Sequence, residues 1–373
     1  MECCDRTPDF SGVNKKGGGS GMTTAQALLR FVVIMAISWV FMYVVPIKWF
    51  VMGYLPFSFF LLMGSVTFGI LGLGWPLGVP GGTWKPGTSR VLTGIGMSIA
   101  WILMAFILYW FVGYVYPKMP MTPTFGIIVF MSTLWYAFDG VGPHPFKMPW
   151  ANWLFGTVLI MVLSLVIWSI FPSMQGTPAE GAPWDPKGIF PANYWFGLCV
   201  WIIVWVQVWG FPMCFQGWPF YKLPKGLFQL VLAAVCVFLG YIFWQGGLSL
   251  GIPPTFWFGA VGASMIGWSL MHSVAFEMYP CATCIQPRRG WQCFLLEEIV
   301  LTAVWIGILR VILQPFVAKA QAAGLPLDIN MWTAFYTLHV TALLLLVHQF
   351  FFMRVPLSIP GPPLGAEELP PGA

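Results

Sequence analysis

Ten apolar runs follow one another along this chain, each close to the roughly 20 residues a helix needs to cross a bilayer. They occupy 28–45, 57–75, 91–115, 125–138, 150–171, 194–211, 227–244, 255–276, 293–316 and 331–353. The fourth is short and is expected to extend over 122–141. Runs of this length and continuity exclude most other architectures. A porin-type barrel would show segments of about 10 residues alternating in polarity. A soluble particle would need about 25% charged residues, and this chain has 8%, with 58% hydrophobic residues. The same apolar content excludes a disordered chain. The expected fold is therefore all-α, a polytopic transmembrane helical bundle of about ten spans.

Charge then sets orientation. Of the 17 Lys and Arg residues, Lys85, Arg90, Lys147, Lys222, Lys225, Arg288 and Arg289 lie in or beside four loops on one side. Arg6, Lys15, Lys16, Arg30 and Arg354 belong to the same side. The opposite loops hold Lys48, Lys118, Lys187 and Lys319, and Arg310 falls inside a span. Basic residues accumulate on the cytoplasmic side of membrane proteins. Both termini are thus expected in the cytoplasm, with the chain in the plasma (inner) membrane. Residues 1–26 are polar and glycine-rich and read as a flexible tail. Residues 27–355 form the transmembrane domain, and the Pro/Gly-rich 356–373 reads as a disordered tail. The 22 Trp suit interfacial belts as well as packing.

The four basic loops join pairs of helices into hairpins at about 55–115, 122–172, 191–245 and 253–316. Each first helix opens with a proline followed by aromatic residues. The prolines are Pro56, Pro123, Pro191 and Pro254, separated by 67, 68 and 63 residues. A fixed period signals repeated supersecondary units, here four parallel hairpin repeats. The competing account is that Pro, Gly and Trp favour any membrane interface.

Ionisable residues inside spans are costly and mark function by default. Asp139 and His272 lie 14 residues after Phe125 and Phe258, equivalent positions of two repeats. A carboxylate and an imidazole at one depth can exchange a proton, whereas at headgroup level both would simply be solvated. Glu297 and Glu298 enter the ninth run and could line a cytoplasmic mouth or pair with Arg288, Arg289 or Lys222. Thr333, Thr337 and Thr341 recur at i, i+4, i+8 and return to the face of His348. Such a stripe can line a pathway, or its hydroxyls can bond to carbonyls one turn back. The candidate transport pathway is therefore Asp139, His272, Glu298, Thr337, Thr341 and His348.

Two ridges read as packing. Gly259, Ala263 and Gly267 give the small-residue spacing of close helix contacts. Trp201, Trp205 and Trp209 form an aromatic ridge facing lipid or another helix. The eight Cys do not form a secreted disulfide framework. Cys281 and Cys284 have CxxC spacing, with Cys293 nine residues on. Both thiolates of such a pair can reach one metal. A metal at this loop would be held by Cys281, Cys284 and Cys293 with Cys214 as a fourth ligand; Cys3, Cys4 or His272 are alternatives to Cys214. Ordinary reduced thiols are the competing account.

These features favour a secondary transporter or channel for a small molecule or ion, and no catalytic residues are assigned. The alternatives are a membrane-embedded redox or metal-binding enzyme and a non-catalytic subunit of a larger membrane complex. Partners would be the lipid bilayer and the solute, with a homo-oligomer or membrane complex also compatible. Nothing in the sequence points to nucleic acid.

Overall fold

The computed structural model describes residues 23–66, 89–117, 146, 148–209, 214–215, 217–220, 223–276, 286–325 and 327–352. Asp139, Cys281, Cys284 and the fourth expected span lie outside these residues.

The described chain is a bundle of helices. Helix α1 is Thr24–Val44. Helix α2 joins Ile47–Trp49, a π-helical Phe50–Tyr54 and Leu55–Val66. Helices α3 (Arg90–Val115), α4 (Pro149–Ile170), α5 (Ala192–Trp209) and α6 (Lys225–Ser249) follow. Helix α7 runs through a π-helical Thr255–Gly262, Ala263–Leu270 and a π-helical Met271–Ala275. Helix α8 is Arg288–Ile312, α9 is Gln314–Ala322 and α10 is Ile329–Phe350. A two-residue parallel pair, β1 (Pro172–Ser173) with β2 (Phe190–Pro191), closes the α4–α5 connection.

Local chemistry explains several ends. Thr23 and Gln26 form a reciprocal capping box on α1, with bonds of 3.3 and 2.9 Å. Each satisfies a backbone N–H that the first turn leaves free. Asp328 caps α10 through Met331 N–H at 2.8 Å. Helix α6 ends where Gly251 adopts φ +75°. Gly251 N–H then donates to Leu248 C=O and Ile252 N–H to Gly247 C=O, both at 3.0 Å. This paired return needs a left-handed residue, which glycine provides without steric cost. Pro315, lacking an N–H, sits in the first turn of α9, where the chain bends by 48° from α8.

Among the described residues, seven helices are long and apolar enough to cross a membrane, or eight if the bent α8–α9 pair is one span. Helix α7 is helical throughout but is not among them. The protein is thus an integral membrane helical bundle. Several expected boundaries differ: α8 begins at Arg288, five residues before the run at 293–316, so Arg288 and Arg289 lie in its first turn rather than in a loop, and α6 runs on to Ser249. Helix α2 begins at Ile47, ten residues before the run at 57–75, so Pro56 lies inside it rather than opening it. The π turn Phe50–Tyr54 directly precedes Pro56. Proline removes one ladder hydrogen bond, and an irregular turn before it accommodates that loss.

Burial sorts the helices into two sets. In α5 and α10, 78% and 72% of the apolar window is buried, against 22% in α1 and α3. The outer helices expose Leu28, Val32, Phe106, Trp110, Val158 and Leu230, the surface lipid tails would cover. The inner set is α5, α7 and α10, and α8 turns one face to it while exposing Leu295, Ile299, Val300 and Val304. The small-residue ridge of α7 meets α10: a Cβ on Gly259 would come within 3.1 Å of Asn330 O, and one on Gly267 within 2.2 Å of Thr337 Cγ2. The Trp ridge of α5 packs inward as well. The Trp201 and Trp257 rings are 4.3 Å apart, and the Trp205 and Phe243 rings 4.7 Å.

Candidate metal centre

Arg30, near the start of α1, donates to Ala275 C=O at the end of α7, at 2.9 Å. A cation at a helix C-terminus offsets the exposed carbonyl dipoles. That contact brings the start of α1 beside the end of α7, and α8 starts at the same end of the bundle. Inward from this end lies a cluster of ionisable side chains.

Two elements supply most of it. The last turns of α7 carry Ser269 and His272. The first half of α8 carries Arg289, Cys293, Glu297 and Glu298, all but the last at four-residue spacing. From Phe294 to Leu301 the α8 ladder is π-helical. A ladder running i to i+5 holds one more residue per turn than an α-helix. It therefore lets both Glu297 and Glu298, four and five residues past Cys293, turn to the same side. Thr302 Oγ1 donates to Glu297 C=O at 3.2 Å within the same stretch. The His272 turn is π-helical too, and Phe276 N–H returns to Met271 C=O at 3.1 Å. Such turns are uncommon and concentrate at functional sites.

The fifth member, Cys214, arrives on the chain leaving α5. Its backbone carbonyl accepts from Gln286 Nε2 at 2.9 Å, and Gln286 Oε1 accepts from Gly290 N–H at 3.1 Å. Gln286 thus ties Cys214 to the first turn of α8. Phe215 stacks on Trp209, with ring centres 5.3 Å apart. Gly290 leaves room for that ring, since a Cβ there would lie 2.3 Å from it.

The geometry is close. His272 Nδ1 is in direct contact with Glu297 Oε1. The ligand atoms of His272, Cys293 and Glu297 all lie within 4.8 Å of one another, as do those of Cys214, Glu297 and Glu298. Cys214 Sγ is 4.0 Å from Glu297 Oε2. Ser269 Oγ donates to Glu298 Oε1 at 2.5 Å, while among the described residues Glu298 Oε2 has no hydrogen-bond partner. All five ligand residues are buried. Removing an ion from water costs several kcal/mol even after relaxation, so two adjacent carboxylates need a proton or cation to offset that cost. Nitrogen, sulfur and oxygen donors together suit a divalent transition metal.

The other candidates fall elsewhere. Thr337 Oγ1 accepts from Trp305 Nε1 at 3.0 Å, and Thr341 Oγ1 donates to Ser38 Oγ at 3.2 Å. Both hydroxyls are buried at helix–helix contacts. His348 is half-buried near the end of α10. Arg310 reaches Asn330 Oδ1 at 3.1 Å and lies over the Phe256 ring. The structure therefore joins His272 and Glu298, expected on a pathway, to Cys214 and Cys293, expected at a metal. At its centre stands Glu297, which the sequence reading left outside both sets. The four-residue step from Cys293 to Glu297 is the signal that could have placed it. No known protein family, no curated protein and no solved structure matches this chain.

Proposed function

We propose that this protein is a secondary transporter for a small cation, with its binding centre among α5, α7 and α8. The observation that carries the reading is the pair Glu297 and Glu298, buried between inner helices beside His272. Buried intramembrane carboxylates are expensive and mark ion pathways. Counting from the start of α8, Glu297 lies about 13 Å along the helix, well inside a hydrocarbon core of about 30 Å. In this reading the chain crosses the membrane ten times, built from four parallel hairpins, with both termini cytoplasmic. The basic-residue asymmetry supports that orientation, and the packing of α2 on α3, α5 on α6 and α7 on α8 supports hairpin units.

Flux tests it. Full-length protein in liposomes should take up a divalent cation, and Glu298→Gln should reduce uptake at least about 10-fold. Uptake unchanged by that substitution, or no uptake of any cation tested, would overturn the transport reading. A second reading, a membrane-embedded metal enzyme, is favoured by the thiols Cys214 and Cys293 in the cluster, since thiolates hold a resident metal firmly. A metal that stays bound through turnover while no ion crosses the membrane would select it.

A further inference from the structure

We infer that the cluster is a site for one divalent transition-metal ion of the zinc class, centred on Glu297. Glu297 is shared by two close triads, one with His272 and Cys293 and one with Cys214 and Glu298. This deepens the reading of the cluster as a cation centre by naming the cation and its ligands.

The donor set argues for the class. Magnesium and calcium take oxygen ligands, and copper(I) prefers soft sulfur. One imidazole, two thiols and two carboxylates form the mixed N, S and O environment in which zinc is held. Spacing argues for one ion. Ligands about 2.0 to 2.3 Å from a tetrahedral zinc stand about 3.3 to 3.8 Å apart. Within each triad that includes Glu297, ligand atoms lie within 4.8 Å of one another and need close by only about 1 Å to meet that geometry.

Charge supplies the independent argument. Glu298 is 3% exposed, and among the described residues its Oε2 has no hydrogen-bond partner while Oε1 is held by Ser269. A buried carboxylate fixed by one oxygen, in a close triad with the Cys214 thiol and a second carboxylate, is arranged for a cation. Glu297 has a related arrangement, with Oε1 at His272 Nδ1 and Oε2 facing Cys214 Sγ. A bound dication would offset the charge that the two adjacent carboxylates otherwise bury together. Ser269 and Gln286 act as positioning residues: the first orients Glu298, the second holds the Cys214 backbone against α8.

The test uses the full chain, purified in detergent, reduced and stripped of metal. Zinc added alone should be retained at one equivalent after gel filtration. Cobalt(II) in its place should give thiolate-to-metal charge-transfer absorption. Cys293→Ser and Glu297→Gln should each weaken zinc binding at least about 10- to 100-fold. Cys199→Ser, a buried thiol on α5 away from the cluster, should bind as the parent does and controls for folding. Substoichiometric zinc in the parent overturns the assignment, as does a Cys293→Ser protein that binds normally. Loss of zinc in a Cys281→Ser/Cys284→Ser variant, with binding intact in Cys293→Ser and Glu297→Gln, would move the metal to the CxxC loop and overturn it too. Zinc bound without flux breaks the transport reading and leaves the site. Flux of another cation without zinc binding breaks the site and leaves the transport reading.

Discussion

Two histidines are buried in the inner bundle, and their surroundings differ completely. His339, on α10, has Nδ1 2.8 Å from Ser58 Oγ, and its backbone carbonyl accepts from Tyr54 OH at 2.5 Å. The Phe59 ring is 4.3 Å away and the Phe335 ring 6.1 Å. A neutral imidazole satisfied by a hydroxyl and packed on aromatic rings needs nothing further. His272, on α7, meets a carboxylate with a second carboxylate and two thiols close by. Both lie in π-helical turns, so neither burial nor helix irregularity separates them. What does is the carboxylate that His272 contacts and the donors gathered around that carboxylate.

The sharpest way to break this contrast is to remove charge at one site and hydrogen bonding at the other. Glu297→Gln should lower cation uptake and zinc affinity at least about 10- to 100-fold. His339→Gln should leave zinc affinity within about twofold, since an independent site couples weakly if at all. Equal losses from both substitutions, measured by zinc titration of the purified variants, would erase the distinction.

A second test concerns the contact between the helices that carry the two histidines. Gly267→Ala would set a methyl against Thr337 Cγ2 and should destabilise the protein by about 1–3 kcal/mol through overpacking. Thermal unfolding in detergent reads it. An unchanged transition would mean that α7 and α10 are not in contact at that point.

Ser58→Ala should have a smaller effect. It removes the His339 partner and should cost about 1 kcal/mol while leaving metal binding intact. If it altered zinc affinity instead, His339 would belong to the functional centre.

The mildest effect is expected outside the bundle, at Asp185 between α4 and α5. Burial raises its pKa, but the N–H groups of Met174, Gly181 and Lys187 and the Lys187 charge outweigh that and hold it below the usual range. A depressed folded-state pKa stabilises above the unfolded value, and the gain is lost as pH falls through the folded value. Asp185→Asn should therefore cost no more than about 1 kcal/mol at neutral pH, given solvent screening, and nothing in strong acid. Unfolding midpoints of the two proteins at several pH values give the comparison. A cost persisting in acid would mean that the loop is held by something other than this carboxylate. Asp185 also scales the contrast: backbone N–H groups answer its charge, whereas Glu298 presents an oxygen that no N–H or hydroxyl of the described residues meets.

Much of the helical order was legible because the apolar runs match bilayer thickness and because caps act within four residues. Thr23, Asp328 and the glycine-closed end of α6 are local devices of this kind. Boundaries were less legible where a proline was tolerated inside a helix. Pro56 reads as a helix start, yet Ile47–Tyr54 is already helical before it because an irregular turn absorbs its missing hydrogen bond. The threonine stripe shows a second limit. Its periodicity is real, but whether such a face meets water or another helix depends on what stands opposite, and here Trp305 and Ser38 do.

Composition and hydropathy alone determined that this chain is an integral membrane helical bundle, because 8% charge cannot solvate a surface of this size and long apolar runs have few stable uses in water. They also marked His272, Glu298, Cys214 and Cys293 as chemically notable. Tertiary structure decided that these four belong together and that Glu297 joins them. Cys214 is 83 residues from Glu297, and His272 and Glu297 lie on separate helices. Their approach depends on how α7 packs on α8, on Gln286 anchoring the end of α5, and on a π turn that brings two adjacent glutamates to one side of a helix. Packing of this kind depends on shape complementarity between distant segments, which hydropathy and periodicity along one segment do not encode.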